Sequence, residues 1–178
     1  MLENLGREFY FARHGETAYN ARGVVTGACD IPLNEKGIVQ AKEAASLVKY
    51  LHIASCITSP LERAIQTAQY MLENTVTITP IPALYERHWG KLEGTPKENL
   101  DKYSFSDYEV ETWEGFVERT ILALAEIRLT APVLIVAHSG TFRALNDYLC
   151  IKAVKKPVRN AWPYKFYLND SGWQVTIV

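Results

Sequence analysis

The sequence predicts an α/β fold with three layers, in which helices cover both faces of a mostly parallel central sheet. Short β-prone runs alternate with helical patterns along the chain, an order typical of parallel sheets. Residues 132–137 form a continuous apolar run, which indicates a strand buried on both faces. A chain of 178 residues suits one compact domain. Since no linker or repeat interrupts it, we expect a single domain over residues 1–178.

The first predicted strand and helix enclose a polar loop. Residues 8–13 form a short β-prone run that stops abruptly at the polar residues 13–17. Further along, Asn34 can cap a helix that continues through Tyr50, because apolar side chains recur there at helical spacing. This order predicts a strand, then a functional loop, then an amphipathic helix.

A second strand and helix follow directly. Residues 55–58 are β-prone, and after them Ser59 can act as an N-cap while Pro60 fits the first helical position. Glu62 completes a capping box with Ser59. The sequence therefore predicts a helix that begins at about Pro60 and carries Arg63 in its first turn.

The second half of the chain continues the alternation and ends in a hairpin. The predicted elements are a β-rich segment at residues 76–81, a glycine-containing loop at 84–94, helices at 112–129 and 141–149, the strand at 132–137, and a hairpin of residues 164–168 and 173–178. The central strand at 132–137, like the first strand, is followed directly by a histidine.

Composition excludes several classes of partner. The formal net charge is -1, and no basic tract marks a face for nucleic acid or anionic lipid. No stretch reaches the roughly 18 apolar residues that would span a bilayer. Cys29, Cys56 and Cys150 are scattered and odd in number, which favours reduced thiols over a disulfide framework. We therefore expect a cytoplasmic protein with no nucleic-acid or membrane partner.

Two histidines and two arginines are expected to meet at one edge of the sheet. Open α/β sheets bind ligands outside the carboxyl ends of their strands, and two predicted strands end in Arg13-His14 and in His138. Arg63 lies in the first turn of a helix, and long helical side chains lean toward the helix N-terminus. The three segments therefore predict one crevice that holds Arg13, His14, Arg63 and His138.

Such a crevice suits a phosphoryl group. Guanidinium groups bind its oxygens in bidentate fashion, and the helix N-terminus after His138 offers N–H donors. A neutral imidazole in line with phosphorus can attack it while the positive charges stabilise the transition state. Glu86 is the best candidate to protonate the leaving oxygen and later to deprotonate water.

Four segments, in order, together resemble the histidine phosphatase superfamily that includes cofactor-dependent phosphoglycerate mutase. They are Arg-His-Gly-Glu-Thr at residues 13–17, Ser-Pro-Leu-Glu-Arg-Ala at 59–64, the segment with Leu84, Glu86, Gly90, Glu93 and Gly94, and Ala-His-Ser-Gly at 137–140. The resemblance covers nearly the whole chain and implies a phosphoglycerate mutase-like fold.

The resemblance also implies a role for each candidate site residue. His14 is expected to be phosphorylated, Glu86 to be the acid and base, and His138 to stabilise the transition state. Arg13, Arg63 and Ser139 are expected to bind the phosphoryl group, and Asn20 and Thr26 to lie beside the substrate. No metal ion and no organic cofactor is expected.

The short segment after Glu86 favours a phosphatase over a mutase. Mutases of this family carry a longer insert there, with a lysine and paired arginines that hold an anionic substrate. Residues 95–112 contain no arginine, five acids and only two lysines, Lys97 and Lys102. We expect water to accept the phosphoryl group of a small phosphorylated metabolite, with a phosphoprotein as a possible substrate.

Other interpretations compete with this one. His14, His138 and Glu86 could form a two-histidine, one-carboxylate metal site, although two fixed arginines would repel the metal. A phosphoglycerate mutase-type phosphotransferase or a non-catalytic phospho-ligand binding module would also fit the motifs. Val24 stands where relatives often have arginine, and the sequence leaves open whether Arg22 replaces it. The four tryptophans are expected to be packing residues.

Overall fold

A mostly parallel sheet of six strands forms the centre of the fold in the computed structural model, which describes residues 2–152 and 157–178. The strands are β1 (Glu8–Arg13), β2 (Ser55–Thr58), β3 (Ile78–Pro80), β4 (Val133–Ala137), β5 (Pro163–Asn169) and β6 (Gly172–Ile177). Their order across the sheet is β3-β2-β4-β1-β5-β6. The first four strands in that order pair in parallel, and the β5–β6 hairpin adds antiparallel pairing at the β1 side.

Strand β4 is central because both of its neighbours are parallel strands and every one of its residues is buried. A strand covered on both faces needs apolar side chains throughout, which is the pattern that residues 132–137 show. Strand β1 lies beside it, with Arg13 opposite Ala137 in the register. The carboxyl ends of β1 and β4 therefore lie side by side.

Helices cover both faces of the sheet. They are α1 (Ala18–Ala21), α2 (Glu35–Val48), α3 (Glu62–Leu72), α4 (Trp113–Glu126) and α5 (Ser139–Tyr148), with short 3₁₀ turns between several of them. Alternate residues of β1 point to opposite faces. Phe9 and Phe11 pack with residues of α4 and α5, whereas Tyr10 and Ala12 pack with residues of α2 and α3. This arrangement confirms the predicted three-layer α/β fold.

The start of α3 differs from the prediction. The helix begins at Glu62, and Leu61 rather than Ser59 occupies the N-cap position. The N–H of Glu62 donates instead to Asp30 Oδ1 at 2.7 Å, so a carboxylate from a distant loop caps the helix. Ser59 is free to bond elsewhere because it is not the cap.

Smaller differences lie at the ends of elements. Strand β3 covers only residues 78–80 of the β-rich segment, and α5 begins two residues before the predicted helix. The short helix α1 has no apolar period that could have predicted it, and it starts from a capping box between Thr17 and Asn20.

No helix in the described part of the chain is long and apolar enough to cross a membrane.

Candidate active site

A cleft of about 160 Å³ opens at the carboxyl ends of β1 and β4. It contains all but one of the residues that the sequence predicted for the site. The lining consists of Arg13, His14, Asn20, Val25, Thr26, Gly27, Arg63, Glu86, Trp89, Lys97, Leu100 and Ser139. His138 is fully buried beside it, and its ring centroid lies 5.3 Å from that of His14.

The position and protonation of His14 follow from its backbone setting. It continues β1, where its N–H donates to Ala137 O at 2.9 Å, and only 4% of the residue is exposed. Its Nδ1 lies 2.7 Å from Gly15 O, and a carbonyl oxygen only accepts, so Nδ1 carries the proton. Burial, followed by the charges of Arg63 and Arg13, holds the pKa of His14 well below its usual range. The imidazole is therefore neutral, with an unprotonated Nε2.

The loop after His14 is fixed at several points. Gly15 N–H donates to Thr67 Oγ1 at 2.9 Å, and Asn160 Nδ2 donates to His14 O at 2.8 Å. A Cβ on Gly15 would lie 2.6 Å from Gly37 O. The close approach of the loop to the start of α2 therefore requires glycine at position 15.

Arg63 is a buried cation anchored by backbone carbonyls. It is 0% exposed, and its Nη1 and Nη2 donate to Cys29 O at 2.7 Å and Gly27 O at 2.8 Å. Burial lowers its pKa to about 10, which still leaves it charged near neutral pH. Burial also lowers the pKa of Arg13. The Nε atoms of Arg13 and Arg63 have no hydrogen-bond partner among the described residues.

Ser59 is the hydrogen-bond partner of the buried ring of His138. Its Oγ accepts from Leu61 N–H at 3.3 Å and lies 2.6 Å from His138 Nε2. Burial, then the charge of Arg63, holds the pKa of His138 well below its usual range, so the ring is neutral. If the hydroxyl donates its proton to Nε2, the remaining nitrogen, Nδ1, carries the ring proton. Within the described residues this buried Nδ1 has no partner.

The carboxylate of Glu86 is held at the start of α5. Its Oε1 accepts from Arg87 N–H at 2.8 Å, and its Oε2 accepts from Gly140 N–H at 3.1 Å and from Ser139 Oγ at 3.4 Å. The first N–H donors of α5 were expected to face a phosphoryl group. The structure instead directs Gly140 N–H and the Ser139 hydroxyl to Glu86, although Ser139 also lines the cleft.

Asn20 and Thr26 both line the cleft. Asn20 Oδ1 accepts from Thr17 N–H at 3.3 Å in the capping box of α1, which leaves its amide N–H groups as donors. Thr26 is buried, and its Oγ1 has no partner among the residues described. Each can therefore contribute a polar group to a bound ligand.

Five residues of the cleft lining were not predicted from the sequence, Val25, Gly27, Trp89, Lys97 and Leu100, and three of them follow Glu86 in the chain. Lys97 was assigned to a poorly charged cover, yet it lines the cleft. Burial, then the charge of Arg13, lowers its pKa. Trp89 and Leu100 line the cleft as well, and Trp89, which was expected to be a packing residue, also packs against Phe105. The spacing of Trp89, Lys97 and Leu100 after Glu86 did not indicate that they line the cleft. They do so because 3₁₀ turns at Gly90–Leu92 and Lys97–Lys102 fold this segment back over the site.

Two open points of the sequence analysis concern Arg22 and the rival metal site. The guanidinium of Arg22 lies 5.0 Å from the ring centroid of Tyr19, and Arg22 is not among the residues that line the cleft. Among residues 2–152 and 157–178, no three histidine, cysteine or acidic side chains converge closely enough to hold a metal ion. His14, His138 and Glu86 therefore do not form a ready ligand cluster.

Comparison with known proteins places the chain in a class of α/β proteins that contains phosphatases and phosphoglycerate mutases. The model of the histidine phosphatase superfamily (branch 1) matches residues 9–176, and the chain belongs to this superfamily. The Uncharacterized phosphatase PhoE of Bacillus subtilis is 37% identical over 139 residues, which are 75% of this chain and 72% of that protein.

Two further relatives show the range of the superfamily. A 2,3-bisphosphoglycerate-dependent phosphoglycerate mutase of Streptococcus equi subsp. zooepidemicus is 39% identical over 109 residues, or 58% of this chain and 47% of the mutase. The alpha-ribazole phosphatase from Shigella flexneri has a TM-score of 0.79 and 25% identity, and the match covers 96% of this chain and 95% of that one. The chain thus spans about half the length of the mutase.

Proposed function

We propose that this protein is a phosphatase that hydrolyses a phosphomonoester through a phosphohistidine on His14, with Glu86 as general acid and base. The observation that carries the proposal is a neutral imidazole with a proton-free Nε2 among buried cations. Arg13, Arg63 and His138 each hold a buried nitrogen without a partner among the described residues. Buried polar groups are nearly always paired, so these donors point to a ligand rich in acceptor oxygens.

The first step transfers the phosphoryl group to the protein. The lone pair of His14 Nε2 forms a bond to phosphorus as the bond from phosphorus to the leaving oxygen breaks. Glu86, in its acid form, gives its proton to that oxygen. Arg13 and Arg63 stabilise the charge on the three remaining oxygens, and His138 Nδ1–H donates to one of them. The product of this step is phosphohistidine and a free alcohol.

The second step returns the protein to its starting state. Glu86, now a carboxylate, takes a proton from water while the water oxygen attacks phosphorus. The bond between phosphorus and His14 Nε2 breaks, and its electron pair returns to the imidazole. Inorganic phosphate leaves, with Glu86 protonated and His14 neutral. The side chains and the attacking water supply every proton and electron pair in this scheme, so we propose that it needs no metal ion or cofactor.

The size of the cleft supports a small substrate. Its volume of about 160 Å³ is below the roughly 300 Å³ at which pockets for drug-sized ligands begin. Trp89 and Leu100 offer apolar surface to the leaving group, and Lys97 adds a cation. We propose that the substrate is a small phosphorylated metabolite. A phosphoprotein fits less well, because its phosphorylated side chain would have to enter this narrow cleft.

Lys97 also supports a second candidate, a phosphoglycerate mutase-type phosphotransferase. A cation beside the transferring group could hold a second anionic group of the substrate, as a mutase requires. However, residues 95–112 contain no arginine. We therefore place hydrolysis ahead of transfer.

Hydrolysis of an aryl phosphate in excess chelator, with acid-quench trapping of phosphoenzyme, tests the proposal. Wild type should turn over and accumulate acid-labile phosphate, and His14→Ala should do neither. Activity lost in chelator would support a metal-dependent hydrolase. Transfer between phosphoglycerates as fast as their hydrolysis would support the mutase, and an absence of any turnover would support a binding module.

A further inference from the structure

One arginine outside the cleft holds the backbone of the segment that carries Glu86. Arg119, on helix α4, donates from Nη1 to Ala83 O at 2.7 Å and to Tyr85 O at 3.0 Å. Its Nη2 donates to Glu86 O at 3.2 Å. Ala83 belongs to a 3₁₀ turn, Pro82–Leu84, whereas Tyr85 and Glu86 lie outside the helices and strands of the fold, so their carbonyls belong to no regular ladder. A single guanidinium supplies donors to all three carbonyls.

Glu111 fixes that guanidinium from the other side. Its Oε1 accepts from Arg119 Nε at 2.6 Å and its Oε2 from Nη2 at 2.9 Å, with each side chain only 18% exposed. Burial alone would raise the pKa of Glu111, but the hydrogen bonds from Arg119 and the His88 N–H outweigh it and lower the pKa. The pair is therefore a charged, bidentate contact in a mostly buried setting.

Glu111 also binds the far end of the same segment. Its Oε2 accepts from His88 N–H at 3.0 Å, and its carbonyl oxygen accepts from Arg87 Nε at 2.8 Å. The Glu111 N–H donates to His88 O at 2.9 Å. Arg119 and Glu111 together thus contact residues on both sides of Glu86.

The plane of the Arg119 guanidinium is set by aromatic rings. Its Cζ lies 3.7 Å from the ring centroid of Tyr85 and 4.7 Å from that of Phe116. A lysine at this position would keep the charge, but it has no planar fork to bond Glu111 and three carbonyls together. The geometry therefore depends on arginine and not merely on a positive charge.

We propose that Arg119, held by Glu111, is a positioning residue that sets the reach of the Glu86 carboxyl to the leaving oxygen. The inference rests on the proposed function, in which Glu86 is the general acid. Neither Arg119 nor Glu111 lines the cleft, so the pair acts through Glu86 and does not touch the substrate. General acid catalysis contributes about 10²–10⁴-fold, and a displacement of the acid by about 1 Å forfeits much of that.

The leaving group provides a readout that a merely structural role would not change. A nitrophenolate leaves without a proton, whereas an alkoxide needs one from Glu86 in the transition state. In a two-step reaction through phosphohistidine, kcat/KM reports formation of the phosphoenzyme. We expect Arg119→Lys to lower kcat/KM for an alkyl phosphate by about 10- to 100-fold and for nitrophenyl phosphate by less than about 5-fold.

The reference variants separate this inference from the proposed function. Glu86→Gln should show the same dependence on leaving group, only stronger. Arg143→Lys is the matched control, because it makes the same substitution at another arginine that lies over an aromatic ring, with its Cζ 4.8 Å from the ring centroid of Trp113. It should leave kcat/KM unchanged for both substrates. Glu111→Gln weakens the contact between Glu111 and Arg119 by a milder change and should give an intermediate leaving-group dependence even where Arg119→Lys folds poorly.

The possible outcomes are distinct. Suppose that wild type forms phosphoenzyme. The positioning role would then be overturned if Arg119→Lys and Glu111→Gln lost kcat/KM equally on both substrates, or lost none on the alkyl phosphate. A wild type without phosphoenzyme, or a Glu86→Gln variant without leaving-group dependence, would overturn the proposed function and this inference with it. A selective loss on the alkyl phosphate in both Arg119→Lys and Glu111→Gln supports the inference.

Discussion

Gly140 lies where any side chain would strike the Glu86 carboxylate, so Gly140→Ala tests the placement of the acid directly. A Cβ built on Gly140 overlaps Glu86 Oε1 and lies 3.0 Å from Phe116 Cζ. The same residue donates its N–H to Glu86 Oε2 at 3.1 Å. Since Phe116 is fully buried, the flexible carboxylate has to move rather than the ring.

The expected loss follows from the size of that movement. An ordinary contact between carbon and oxygen is about 3.3–3.6 Å, so the carboxylate shifts by about 1 Å. A misplacement of this size costs about 100-fold in rate, or about 2.7 kcal/mol of transition-state stabilisation. Stability should change much less, because alanine is favoured over glycine in a helix by about 1 kcal/mol, which offsets the crowding. We expect Tm to stay within about 5 °C of wild type.

The assay is kcat/KM for an alkyl phosphate in a double-mutant cycle with Glu86→Ala. If Gly140→Ala acts only through the carboxylate, it should cost about 100-fold alone and almost nothing when Glu86 has already been truncated. An equal loss in both backgrounds would refute the reasoning, because the methyl group would then be disturbing the phosphoryl site or the helix itself.

Three further predictions concern the contact between Ser59 and His138, the pH dependence of stability, and the role of Lys97. Ser59→Ala removes the partner of His138 Nε2 and should slow phosphoenzyme formation about 10-fold in rapid-quench experiments, whereas Ser59→Thr should retain most of the rate. Because burial lowers the pKa of both His14 and His138, the unfolded state binds more protons below about pH 6.5. The free energy of unfolding measured in urea should therefore fall as the pH drops, by about 1.4 kcal/mol per pH unit and histidine, and an unchanged slope in His14→Asn would contradict this. Lys97→Met should raise KM about 10-fold for a phosphomonoester that bears a carboxylate but leave KM for an aryl phosphate nearly unchanged, and equal effects would exclude a role in specificity.

The fold could be predicted because its signals are local and agree with one another. The apolar run of β4 and the β-prone run of β1 each end at a histidine, and parallel pairing brings both ends to one edge. Arg63 reaches the same edge although the predicted cap of its helix was wrong. The position of the side chain depends on the first turn of α3 and not on which residue caps it.

The parts that could not be predicted depend on contacts between distant segments. Asp30 caps α3 across 32 positions of the chain, which leaves Ser59 to bond His138 across 79. Lys97 enters the cleft because its N–H donates to Gly23 O at 2.9 Å and Val25 N–H donates to Thr95 O at 2.8 Å. No periodicity or capping pattern in the sequence predicts such pairings, since they form only when the loops pack against each other.

The electrostatics of the cleft explain why burial suits a histidine nucleophile. A protonated imidazole cannot attack phosphorus, and beside Arg13 and Arg63 the neutral form is favoured by both desolvation and like charge. The same low-dielectric setting strengthens the attraction of those guanidinium groups for a phosphoryl group. In the proposed mechanism, the cations that would bind the phosphoryl group therefore also keep His14 in its neutral form. A surface histidine, solvated and half-protonated near its ordinary pKa of about 6.5, would have neither advantage.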